Sequence, residues 1–156
     1  MKAPFPFIAA LVLAAPVAAQ GPAPVSPDQF AAATAVCVKT LAVDGPAKVL
    51  TTIEADGWTL RKTTAIGGVF AQAGNAIELK VETVFGSRIC TILGNRDPAL
   101  PLADLTASIA AKAPGKVTRE PAGSGTSLVF DDKYRTSITP AQADKRFNTQ
   151  ITAIEK

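Results

Sequence analysis

The chain contains no histidine. That removes the commonest general base, metal ligand and pH switch among the side chains. It also excludes Ser-His-Asp and Cys-His catalysis. The residues left with chemical capacity are two cysteines, thirteen carboxylates and a few Ser–Lys pairs.

Cys37 and Cys90 are too far apart to form a CxxC redox centre. An even pair in an exported domain reads as one disulfide. Closing a loop of about 54 residues contributes roughly 4 kcal/mol in the chain-entropy picture. Among the carboxylates, Asp131-Asp132 is the tightest pair. It lies between two candidate strands beside Lys133, where Asp is favoured for bonds to its own backbone. Glu78 and Glu82 flank Lys80 on what reads as the wet face of a strand. Ser108 and Lys112 have i,i+4 spacing but lack the surroundings of a Ser–Lys dyad.

Gly123-Ser124-Gly125 sits in a Pro/Gly loop and is no nucleophile elbow. Gly67-Gly68 matches neither a phosphate loop nor a dinucleotide fingerprint, and no calcium-loop pattern occurs. The sequence therefore predicts no catalytic residue, no metal site and no cofactor, and a protein that is not an enzyme.

For binding, Trp58 beside Arg61 and Lys62 is the first candidate, since a Trp near basic residues can anchor a partner. The competing reading places Trp58 at a helix–strand joint in the core, and the weight of buried aromatics in core energetics favours it. Tyr134 with Lys133 and Arg135 is a weaker candidate. Basic residues are otherwise scattered, with no cluster interleaved with aromatics, so nucleic acid is not an expected partner.

The elements that must position these residues follow from pattern. Residues 1–19 read as a cleavable signal peptide: Lys2, an apolar run from Phe5 to Val17, then Val17-Ala18-Ala19 before Gln20. The run is too short to span a bilayer as a helix, and no later stretch is apolar enough to do so. No Cys follows the cleavage site directly, so no lipid anchor is expected. Removing Lys2 with the leader leaves 15 basic against 13 acidic residues, a net charge of +2. Residues 20–25 read as a flexible leader, and residues 26–156 as a single globular domain.

Ser26-Pro27-Asp28-Gln29 announces a helix through a capping box with Pro at N1. Phe30, Ala33, Cys37 and Leu41 share one face of it, so Cys37 points inward. Asp44-Gly45-Pro46 starts a second helix, which Asp56-Gly57 closes. Strands follow at 58–64 and 69–72. Ile77, Leu79, Val81, Thr83 and Phe85 then alternate with polar residues, giving a strand with one buried face.

A Gly86-Ser87 turn returns the chain through Arg88 to Leu93, with Phe85 opposite Arg88 and Thr83 opposite Cys90. Cys90 then shares the inner face with Leu79 and Val81, and the first helix packs over this hairpin through Cys37–Cys90. Leu102, Leu105 and Ile109 mark a third helix. Strands are expected at 116–120, 126–131 and 134–139. The final segment, 146–154, fits a strand or a helix; three β-branched residues in the last six favour the strand.

The result is an α+β, two-layer domain: an antiparallel sheet with helices on one face. The order of elements suggests two similar helix-plus-four-strand halves. In outline the chain is similar to small exported proteins of Gram-negative bacteria, and no motif attaches it to a family. The functional reading is an exported, soluble, non-enzymatic binding or interaction domain of the bacterial envelope, periplasmic or secreted. Its partner is an unknown protein or a small apolar or anionic ligand. The alternative is a His-free hydrolase working through paired carboxylates.

Intact mass of protein recovered from the periplasm checks the first of these readings. The expected chain starts at Gln20 and takes up two alkyl groups only after reduction. A full-length chain with two free thiols would overturn the compartment.

Overall fold

A computed structural model describes residues 23–74, 76–113, 115–122, 125–141 and 146–155. The leader read at residues 1–19 lies outside them, as do residues 20–22. Helix α1 spans Pro27–Ala42 and begins as its sequence dictates. The Ser26 hydroxyl accepts from the Gln29 amide at 3.2 Å, and the Gln29 side chain accepts from the Ser26 amide at 2.9 Å. Helix α2 (Pro46–Ala55) has Pro46 as its first residue, and α3 (Leu102–Lys112) is preceded by Pro101. Val25, read as part of a flexible leader, is buried, and its amide donates to the Asn95 carbonyl at 2.7 Å. Its apolar side chain gains more from the core than a tether gains from freedom.

Eight strands make one sheet. They are β1 (Thr59–Thr64), β2 (Gly67–Ala71), β3 (Ile77–Val84), β4 (Ser87–Gly94), β5 (Val117–Ala122), β6 (Gly125–Phe130), β7 (Tyr134–Pro140) and β8 (Thr149–Glu155). The order across the sheet is β1-β2-β3-β4-β8-β7-β6-β5, with every neighbour antiparallel. Two four-stranded meanders, β1–β4 and β5–β8, thus meet along a central β4–β8 seam where Ile92 faces Ile151 and Cys90 faces Ala153. The two-layer α+β reading and its two similar halves are realised in this arrangement. The ambiguous C-terminal segment is a strand, and a central one. As a strand, Ile151 and Ala153 alternate into the core on an interior ladder, and both are buried.

The helices cover one face. α1 lies over β4 and β8, α3 over β6 and β7, and α2 packs mainly on α1 and β1. Cys37 is bonded to Cys90, with the two Cα atoms 5.5 Å apart, and both residues are fully buried. Near the other end of the same contact, Phe30 lies against Gly94: a Cβ there would sit 2.9 Å from the ring. Any larger residue at 94 would lift α1 off the seam. Buried Thr34, Thr40 and Thr106 satisfy their hydroxyls on the carbonyls of Phe30, Val36 and Leu102 one turn back.

The β3–β4 hairpin differs from its sequence reading in register. Phe85 and Gly86 form the turn, with φ of 50° and 81°, and Val84 pairs with Ser87. Two successive left-handed residues make a type I′ turn, whose twist matches that of the flanking strands. The partner of Cys90 is therefore Val81 rather than Thr83. A slip of two residues keeps every side chain on its face, so Cys90 still shares the inner face with Leu79 and Val81. Thr83 and Phe85, expected on the buried face, are exposed because no helix extends over that end of the sheet.

Beyond β4 the ladder is continued by side chains. Asn148 Nδ2 donates to the Arg96 carbonyl and Asn148 Oδ1 accepts from the Arg96 amide, both at 2.9 Å. Asn95 Oδ1 accepts from the Asn148 amide at 2.9 Å. These amides fix where β8 begins against β4.

Cys37→Ser and Cys90→Ser should each lower stability by about 2–4 kcal/mol, and the double variant by about as much as either alone. Denaturant melts of the three proteins check this; two singles that melt like the parent would remove the staple from the account.

Candidate functional site

The residues singled out for chemistry are largely committed to structure. Asp131 and Asp132 occupy the β6–β7 turn with φ of 51° and 57°. Asp131 Oδ1 accepts from the Lys116 amide at 3.0 Å, and Asp132 meets the Lys116 ammonium at 2.7 Å. That hydrogen bond, reinforced by the carboxylate's charge, holds the Lys116 ammonium above its ordinary pKa. Lys112 bridges to Asp28 in the first turn of α1. Glu78 is paired with Arg146. No group of three potential metal ligands occurs among the described residues.

The binding candidates separate in space. Trp58 is 3% exposed, its amide donates to the Ile53 carbonyl, and its ring belongs to the core. Its Nε1 has no hydrogen-bond partner among the described residues. Arg61 and Lys62 are exposed on β1, where the register slips between Leu60 and Lys62. A bulge with two cations on an outer strand discourages pairing with another sheet. A buried ring and two edge cations do not make one surface. Tyr134 is likewise buried, under the Lys133 ammonium at 5.2 Å from the ring centroid, and Arg135 is bridged to Glu120.

The open site lies where the helix layer stops short. α1 ends at Ala42, the chain turns through Gly45-Pro46, and α2 leaves towards β1. Between α2 and strands β1–β3 this leaves a groove of about 460 Å³. Val49 and Leu50 of α2 form one wall, and Leu60 and Phe70 of the sheet form the other, with Val81 on the same sheet face. Gly67 and Gly68 also line it, without side chains to fill it.

Leu60 and Ile66 are 39% and 48% exposed, an unusual state for large aliphatic side chains lining one depression. The β1–β2 turn that carries Ile66 is tied to β3 by the Thr83 amide donating to the Ile66 carbonyl at 2.8 Å. Phe85, fully exposed, tips the neighbouring β3–β4 hairpin at the same end of the sheet.

One charged residue is in the groove's described lining. Arg88 stands opposite Thr83 on the inner face, two residues from Cys90. Its Nη1 donates to the carbonyls of Thr40 and Val43 at the C-terminal end of α1. No protein-family model, no curated protein sequence and no solved structure matches this chain.

The second half carries a depression in the corresponding place, between α3 and β5–β7. It has a volume of about 570 Å³, with Leu102, Thr106, Thr126, Ser137 and Ile138 in its described lining. It is richer in hydroxyls, and it exposes no large apolar side chain among the described residues. The first groove is therefore the better ligand site, as such sites are mostly apolar with few polar groups.

Sequence reasoning placed Leu60 on a strand and Arg88 beside a turn, and pointed to neither as functional. The signal that was available is Leu60 lying within Thr59–Thr64, whose other members are all polar or charged.

The groove's outer wall is not needed for folding. Leu60→Ser and Ile66→Ser should each change stability by less than about 1 kcal/mol, as partly exposed positions do, while Phe70→Ser should cost about 3–5 kcal/mol. Urea melts of the three variants distinguish these; a large loss for Leu60→Ser would make that wall part of the core.

Proposed function

We propose that the protein is an exported, non-enzymatic binding domain of the bacterial envelope, and that it takes an apolar ligand in the groove between α2 and β1–β3. The observation that carries this reading is the apolar concavity floored by buried Phe70 and Val81 and rimmed by the partly exposed side chains of Leu60 and Ile66. Partly exposed aliphatic residues around a concavity favour occupancy by something apolar.

Export is supported by the N-terminal pattern of the sequence and by the Cys37–Cys90 bond, which suits an oxidising compartment. No helix among the described residues is long and apolar enough to cross a membrane. The hydrolase alternative needs two carboxyl groups facing one pocket. Neither groove has Asp or Glu in its described lining.

Titration with the neutral apolar dye phenylnaphthylamine tests the proposal. The dye should bind with enhanced fluorescence at one site per chain. Thr63→Trp, which changes an exposed residue of the groove lining, should abolish that binding without lowering the melting temperature. Dye binding unchanged in Thr63→Trp would place the ligand elsewhere.

A further inference from the structure

We infer that the groove's ligand is a single-chain amphiphile with an anionic head, the chain lying on Leu60, Phe70 and Val81 and the head on Arg88. This rests on the groove being the binding site and adds the chemical class of its ligand.

The inference starts from what Arg88 does not do. Its Nη1 is engaged by the Thr40 and Val43 carbonyls, which fixes the guanidinium against the end of α1. Nε and Nη2 make no hydrogen bond to any of the described residues. Arg presents its donors in a rigid planar fork, so anchoring one nitrogen orients the others. A helix C-cap role explains Nη1 and leaves the remaining donors unused.

Among the described residues no carboxylate lines the groove to neutralise this cation; apart from Arg88 the described lining is apolar residues, glycine and the hydroxyls of Thr63 and Thr83. Arg88 is half-buried beside apolar walls, where charge interactions are less screened than in bulk water. Such a cation favours a carboxylate or a similar anion over a neutral group and disfavours another cation. Leu60, Phe70 and Val81 of the sheet and Val49 and Leu50 of α2 offer aliphatic and aromatic carbon, which suits a hydrocarbon chain. A volume of about 460 Å³ lies in the lower part of the range for small-ligand sites, roughly 300–1,000 Å³, and suits one chain rather than a two-chain lipid.

The test is calorimetric titration of the purified protein with decanoate, decanol and decyltrimethylammonium, which share a chain length and differ in head charge. Decanoate should bind about tenfold or more tightly than decanol, as expected for hydrogen bonds to a charged group. Decyltrimethylammonium should bind most weakly. Arg88→Gln should bring decanoate down to the affinity of decanol while leaving decanol unchanged. Because that substitution also removes donors from the end of α1, the three-probe comparison on the unaltered protein carries the test by itself.

Equal affinity for decanoate and decanol would overturn recognition of the head and leave the apolar groove standing. Failure of all three probes, with no dye binding either, would remove the groove as a site and this inference with it. Binding to phosphatidylglycerol vesicles without binding to decanoate would make the occupant a membrane surface, and the inference would fall.

Discussion

The contact of α1 with the β4–β8 seam is the constraint on which the rest of the molecule depends. Three ties run along it in order: Phe30 on Gly94, Cys37 to Cys90, and the carbonyls of Thr40 and Val43 on Arg88. Sequence numbers rise on the helix as they fall on the strand, so α1 runs antiparallel to β4. From Phe30 to Val43 a helix advances about 20 Å at 1.5 Å per residue. From Gly94 to Arg88 a strand advances about 20 Å at roughly 3.3 Å per residue. The two spans agree, so all three ties can be made along one straight helix, and the disulfide pins the middle of a contact that packing and hydrogen bonds hold at its ends.

Fixing α1 over the centre of the sheet decides what is left uncovered. α3 packs beside α1 and over the second meander, whereas α2 follows the end of α1 and packs mainly on α1 and the first strand. At the end of β3 the inner-face residue Thr83 is therefore left exposed. The groove, the exposed side chains of Leu60 and Ile66, and the unused donors of Arg88 share this origin. Arg88 joins α1 and the groove: its Nη1 closes the end of α1, and the same residue lines the groove.

Much of this fold is legible in the sequence because alternation and helical spacing report faces directly. Cys37 and Cys90 were placed on facing inner surfaces by two independent patterns, and the bond joins them. The same alternation is blind to register: a slip of two residues leaves every face unchanged, so the Phe85-Gly86 turn was missed. Val25 and the Asn95–Asn148 clamp look like loop chemistry, since asparagine and a Pro-flanked valine carry no periodic signal. The groove was illegible for a deeper reason. A residue's type reports whether it can be buried, and Leu60 and Ile66 matter because the layer above them ends too soon.

The seam also has a meaning in time. β8, the last of the described strands to leave the ribosome, lies at the middle of the sheet, and its pairing partner Ile92 precedes Ile151 by 59 positions. The first meander can assemble early, but its β4 edge then stays bare, offering backbone to any stranger. Closing such a distant ladder is slow compared with local hairpins. Until this keystone is laid the sheet is an open arch, and each half supplies the edge that closes the other.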